Sequence, residues 1–242
     1  MGDMQNLFET PNKAYIIGKI LRLESRGVHD GVNQVLVCVE DLRESKKRNH
    51  ALVLLPDCAS TNELIEKNAI IHAEGILTAS YTFNNLEKKH IFIVPNTVKE
   101  LPEDFKLDTI DEFYLNYTLY NRVILRGVIS SEPTTRYIDS VGRSLMRFKL
   151  NFLGDGGREK NINCTLWETV NDLSHIKKGD EVGIIASFNI TNRYTLSRER
   201  SEAENKETKE TKDYTSYNLL VQKIYDLGRS PEAIAEEIYV KD

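Results

Sequence analysis

Cysteine is scarce in this chain: three in 242 residues. They stand at Cys38, Cys58 and Cys164, an odd set with no C-x-x-C pair. That excludes a disulfide framework, and free buried thiols in a reducing, cytoplasmic setting are expected. Long apolar runs are missing too; nothing approaches the roughly 20 residues that cross a bilayer. The opening MGDMQNLFETPNK lacks the basic and apolar stretches of a secretory leader, so no membrane partner is expected. The five histidines, His29, His50, His72, His90 and His175, show no ligand spacing, and no Cys/His cluster exists. Neither a metal nor another cofactor is expected. Walker A, G-x-S-x-G and dinucleotide fingerprints are absent as well. GDGG at 154–157 joins two strand-like segments and opens no helix, which is the setting of a hairpin turn rather than a phosphate loop. The chain is not expected to be an enzyme.

An excess of positive charge is also lacking. The net formal charge is −5. Residues 1–110 carry 13 Lys/Arg against 16 Asp/Glu, and residues 111–242 carry 19 against 21. No domain-wide basic field can attract phosphates, so any polyanion must be met by a local basic face.

What the chain does have is an internal repeat. NKAYIIGKI (12–20) matches NRVILRGVI (121–129) at an offset of 109. LIEKNAIIHAEGIL (64–77) matches HIKKGDEVGIIASF (175–188) at an offset of 111. HIFIVPNTVKEL (90–101) answers YNLLVQKIYDLG (217–228), where Leu101 and Leu227 differ by 126, so the second copy has gained 15 residues between its last two strands. Copies of about 100 residues are domain-sized, too long for a solenoid unit.

Each copy reads as mostly β. In LMRFKLNF (145–152), Met146, Phe148, Leu150 and Phe152 share one face and Arg147, Lys149 and Asn151 the other. NINCTLW (161–167) alternates likewise, with Trp167 on its polar face beside Asn161, Asn163 and Thr165. WETVNDLSHIKKGD (167–180) has the pattern of a short helix ended by Gly179. Three strands, a short helix and two strands is the order of the OB barrel. The expected fold is therefore mainly all-β: two tandem five-stranded OB-fold barrels with short helices. The first spans 1–101 and is expected to serve pairing, with DNA binding left open by Tyr81, Phe83 and the run Lys46, Lys47, Arg48; a linker follows at 102–118, the second at 119–228, and a C-terminal helix or tail at 229–242. In the linker, Thr109 to Tyr117 suits one or two helical turns. LSRERSEAENKETKETKD (196–213) has 11 charged residues in 18, too little apolar surface to order itself, and reads as a disordered hairpin insert.

The second copy resembles the bacterial single-stranded DNA-binding protein family. The likeness rests on NRVILRG, on EPTTRY, on the alternating strand RSLMRFKLNF, on NCTLW ending in its aromatic, and on the IKKGD turn. It covers 121–227 with one insertion. The first copy keeps the opening and fourth strands but lacks the Pro-x-x-Arg-Tyr element. The resemblance implies binding of single-stranded DNA without sequence preference, in replication, recombination or mobile-element transfer. Its chemistry is bases stacked on aromatic faces and phosphates tracked by cations, which RNA offers as well. It implies a stacking role for Trp167, whose other reading is packing under the following helix or in a dimer contact. Tyr194 lies beside a second aromatic position of the family, and Tyr137 is either a stacking or a structural residue. The basic candidates are Arg126, Arg136, Arg143, Arg147, Lys149 and Arg193, with Arg147 and Lys149 foremost because alternation turns them from the core. The C-terminus SPEAIAEEIYVKD lacks the acidic tip with which the family recruits replication proteins.

The third strand of the first copy, ALVLLP (51–56), is apolar on both faces and must have a protein neighbour. Two arrangements satisfy it: a homodimer through the first barrels, the favoured one, or an internal pseudo-dimer. The alternative function is an OB-type protein-interaction module of replication or conjugation machinery without strong DNA binding.

Overall fold

Period-two alternation of apolar residues gives eleven strands and leaves little else. In a computed structural model of the chain, the described residues are 12–29, 31–42, 49–83, 86–105, 121–167, 175–200 and 207–230, with side chains described outside 29, 80–90, 190–200 and 207–217. The first half holds β1 (Asn12–His29), β2 (Val32–Asp41), β3 (His50–Pro56), helix α1 (Ala59–Glu66), β4 (Ile70–Phe83) and β5 (Leu86–Leu101). The second holds β6 (Arg122–Ile129), β7 (Thr134–Ile138), β8 (Arg143–Leu153), β9 (Glu159–Trp167), β10 (Asp180–Arg200) and β11 (Glu207–Arg229).

The pairing closes on itself twice. In the first half β1 pairs with β2 and β4, β2 with β3, β4 with β5, and β3 runs parallel to β5. In the second, β6 pairs with β8 and β10, β8 with β9, β10 with β11, and β9 runs parallel to β11. The fold is all-β and of the OB type. The long β1 of the first ring becomes two strands in the second, because Pro133 has no N–H to give to a ladder. Around that break the Ser131 hydroxyl accepts from the Lys149 N–H at 3.0 Å.

The repeated Asn and Gly have physical reasons. Asn12 Oδ1 accepts from the Leu77 N–H at 2.8 Å and its Nδ2 donates to the Leu77 carbonyl at 2.7 Å. Asn121 Oδ1 accepts from the Phe188 N–H at 2.8 Å, the corresponding bond of the second copy, with the asparagine displaced by 109 residues and the donor by 111. Both asparagines are buried, and each ties its first strand to its fourth. The glycines lie where the first strand crosses closely over the second. A Cβ on Gly18 would collide with the Glu40 carbonyl oxygen, and one on Gly127 with that of Asn151.

The rings are joined by β1 and β6, antiparallel, in the register Asn12↔Leu125, Lys13↔Ile124, Ala14↔Val123 and Tyr15↔Arg122. Ala14 and Val123 are the same position of the repeat, since 123 − 14 = 109. The join is therefore centred on a local two-fold axis. Other contacts obey it. Asn12 Nδ2 also reaches across to the Leu153 carbonyl at 2.9 Å, and Asn121 Nδ2 reaches back to Asp41 Oδ2 at 2.8 Å. β4 packs against β9 and β10 against β3. One apolar cluster runs through both rings, from Ile16, Val37 and Val53 to Leu125, Phe148 and Phe188.

Within the segment expected as an insert, Leu196 to Arg200 pairs with Glu207 to Thr211 in the long β10–β11 hairpin, and residues 201–206 lie outside the described ones. A ladder satisfies backbone groups without burying apolar surface, and the threonines at 208, 211 and 215 favour it. The apolar β3 does not wait for a second chain. All of Ala51–Leu55 is buried within this one, and the two rings pair through β1 and β6. The expected helices at 109–117, at 168–174 and after Ser230 lie outside the described residues, as do the run Lys46, Lys47, Arg48 and the side chains of Tyr81 and Phe83.

Candidate nucleic-acid interface

Directly paired residues in a sheet share a face, so the register of β7, β8 and β9 shows which side chains meet. Arg147 pairs with Thr134 on one side and Thr165 on the other. Leu145 pairs with Arg136 and with Trp167. Arg143 begins β8 on the same side, and Lys149 continues it opposite Asn163. The core face is the other one, with Met146, Phe148 and Leu150 buried beside Leu166, Cys164 and Ile162. Parallel β11 extends the outward face, because Leu219 is buried beside Cys164 and its neighbours Asn218 and Leu220 therefore point outward.

The result is a surface of one aromatic and four cations. Arg136, Arg143, Arg147 and Lys149 are exposed and Trp167 is half-buried. β7 and β8 contain no Asp or Glu, and β9 has only Glu159. It lies at the far end, where its Oε1 accepts from Asn151 Nδ2 at 2.6 Å. Among the described residues no carboxylate pairs with Arg136, Arg147 or Lys149. An acidic molecule thus carries a local positive sheet face.

Trp167 is held by its neighbours. The Arg143 guanidinium carbon lies 5.9 Å from the indole centroid, over the ring, within reach of a cation–π attraction. Leu145, buried despite pointing outward, packs the strand-pair position beside it. Asn218 Nδ2 donates to Thr165 Oγ1 at 3.4 Å, while its Oδ1 is buried and has no hydrogen-bond partner.

The remaining candidates lie elsewhere. Tyr137, 60% exposed, pairs with Ser144 and so points to the opposite side of the hairpin from Trp167. Arg126 is on β6, its Nε 2.7 Å from Glu181 Oε1; that bond raises its pKa further and commits the guanidinium to a protein partner. Arg193 and Tyr194 belong to β10, paired with Tyr214 and Asp213, and their side chains lie outside the described residues. Leu145, Asn163, Thr165 and Asn218 join the face without having been singled out. Pairing register identifies them, and of these only Asn163 and Thr165 were legible by alternation.

Of the thiols, Cys38 and Cys164 are buried and Cys58 is exposed. Burial pushes Cys38 up to about 11 and Cys164 higher still. Hydrogen bonds with the Ser60 and Thr61 hydroxyls bring Cys58 down to about 7. Among the described residues no group of His, Cys, Asp and Glu is placed to hold a metal ion, and no helix is long and apolar enough to cross a membrane.

No family model matches the chain, and no curated protein matches it in sequence. Solved structures do match. The wild-type single-stranded DNA-binding protein of Thermus aquaticus superposes with a TM-score of 0.58 at 17% identity, covering 91% of this chain and 94% of that one. The fold is that of a single-stranded DNA-binding protein. A deletion mutant of the Thermus single-stranded DNA-binding protein gives the same TM-score at 18% identity, over 91% and 97% of the two chains. Coverage on that scale takes in both rings and the join between them. The likeness is one of backbone, so the side chains that matter are read from this chain alone.

Proposed function

We propose that this chain binds single-stranded DNA without sequence preference, on the outward β7–β8–β9 face of its second ring. The observation that carries the reading is the convergence of Trp167 with Arg136, Arg143, Arg147 and Lys149 on one face where, among the described residues, no carboxylate pairs with Arg136, Arg147 or Lys149. Stacking on an indole is indifferent to base identity, and four cations along one sheet face suit a phosphate track. Arg193 and Tyr194 on the β10–β11 hairpin are further candidates for the same strand. The two rings are OB-type units in tandem, and the role that fits is holding single strands during replication, recombination or mobile-element transfer, in company with replication proteins.

Fluorescence polarisation with a labelled oligo-dT, at low and high salt, tests this directly. Saturable binding that weakens with salt is expected, and no polarisation change at low salt with micromolar protein would overturn it. An oligo-U of equal length reports whether the face distinguishes DNA from RNA. The protein-interaction reading rests on the low net charge, the sparse aromatics and the apolar third strand of the first copy, and only the last of these is met by burial inside the chain.

A further inference from the structure

The two rings can be compared residue by residue, because their registers are the same. Gln34↔Pro56, Leu36↔Leu54 and Cys38↔Leu52 in the first become Leu145↔Trp167, Arg147↔Thr165 and Lys149↔Asn163 in the second, all displaced by 111. On the closing parallel strand, Leu52↔Phe92 and Val53↔Ile93 correspond to Cys164↔Leu219 and its outward neighbour Asn218, displaced by 126. Each position of the basic face thus has a known counterpart.

The counterparts have the opposite chemistry. Where the second ring has Arg147 and Lys149, the first has Leu36 and Cys38. Where it has Asn163, Thr165 and Asn218, the first has Leu52, Leu54 and Phe92. These five apolar residues form a cluster of their own, separate from the main core, and are each between 1% and 4% exposed. Outward-pointing side chains reach such values only when something lies over them. The chain itself therefore covers this face, and Leu21 and Val94 pack against the cluster. At the Trp167 position stands Pro56, which has no aromatic face.

We infer that each chain carries a single path for a nucleic-acid strand, on the second ring, and that the matching face of the first ring is closed and serves only to hold the molecule together. The inference rests on the strand-binding reading above. Two requirements of such a path are missing among the described residues of this face: an exposed stacking aromatic, since Phe92 is buried, and access. Opening the face would expose five large apolar side chains to water, which favours the closed state strongly. The expected footprint is then that of one OB unit, about 4–16 nucleotides, rather than of two.

Native mass spectrometry or calorimetry of the full chain with a short oligo-dT, about eight nucleotides long, reads the number of paths. One oligonucleotide per chain is the expected result. Two per chain would overturn the single path while leaving strand binding intact, whereas none would sink strand binding and the path together. A second arm combines Trp167→Ala, Arg147→Glu and Lys149→Glu, all outside the core, with an unchanged melting temperature to show that the chain still folds. Loss of saturable binding supports the single path. Saturable binding that persists, with hydroxyl-radical protection on β2 and β3, assigns a path to the first ring and overturns it.

Discussion

Trp167 is the only tryptophan, so its emission reports on one place. Arg143 lies over one face of the indole, so a base stacking on Trp167 changes the surroundings of that single emitter. Oligo-dT is expected to quench the emission, and Trp167→Ala to weaken binding by about 1–3 kcal/mol without unfolding the chain. Arg143→Ala should increase quenching by acrylamide in the free protein, since it uncovers the ring. Emission unchanged at saturating oligonucleotide would place the indole outside the path. A second residue bears on pH. His72, on β4, has its Nε2 buried without a hydrogen-bond partner. Burial lowers its pKa from the ordinary 6.5, Lys99 lowers it further and Glu74 opposes both. The unfolded chain therefore takes up a proton near pH 6.5 that the folded chain refuses. Stability is unaffected above that pH and falls as pH drops through it toward the folded value. Between about pH 7 and pH 5 the melting temperature should drop more for the wild type than for His72→Gln. Parallel curves for the two would show that His72 is not the group responsible.

At the scale of elements, the working unit is the three-stranded face rather than any one strand. Arg147 and Lys149 were legible in the sequence because a clean alternation in LMRFKLNF can have only one buried side. Trp167 was legible for the same reason on its own strand. Tyr137 and Arg126 show where that reasoning ends. Period-two alternation assigns a residue to a side of its own strand, but β7 is only five residues long and alternates weakly. Only its register with β8 shows that Tyr137 points away from Trp167. Arg126 is cationic in sequence, yet the Glu181 that occupies it is 55 residues away, beyond any local pattern. These distinctions can be measured. Arg147→Glu with Lys149→Glu should flatten the salt dependence of binding by about 0.7 in log–log slope per lost phosphate contact. Tyr137→Ala and Arg126→Ala should leave affinity and slope nearly unchanged. Were Tyr137→Ala to cost as much as Trp167→Ala, the strand would have to wrap the opposite side of the β7–β8 hairpin.

At the scale of the whole molecule, the repeat offsets of 109, 111 and 126 already contained the ring-to-ring correspondence, and the pairing registers reproduce them. The pairing of the rings through β1 and β6 was not legible. An apolar first strand with both edges bonded has the same composition whether its second neighbour is in the same chain or another. The longer β10–β11 hairpin was legible as a gain of 15 residues, but its ladder was not: charge density argues against burial, while a two-stranded ladder needs none. The join rests partly on two buried asparagines, each bonded both within its ring and across to the other. Asn121→Ala would remove the acceptor of the Phe188 N–H and one donor to the Asp41 carboxylate; Asn12→Ala would remove both bonds to the Leu77 backbone. Each is expected to cost about 1–3 kcal/mol. Because one apolar cluster spans both rings, each variant should lower a single cooperative transition in calorimetry. Two resolved transitions would mean that the rings unfold independently.

The pairing centred on Ala14 and Val123 has a further consequence. In a dimer of identical chains, the residue on the axis must meet its own copy, and every contact beside it is made twice. Here the two halves are covalently one, and that constraint is gone. A small alanine can face a larger valine, and Tyr15 can oppose Arg122 on one flank while Lys13 opposes Ile124 on the other. A substitution at this seam alters one side and spares its counterpart, so the halves are free to diverge. Their association is also indifferent to dilution, since no second molecule has to be found. A molecule built this way keeps the geometry of a dimer while having a distinguishable left and right.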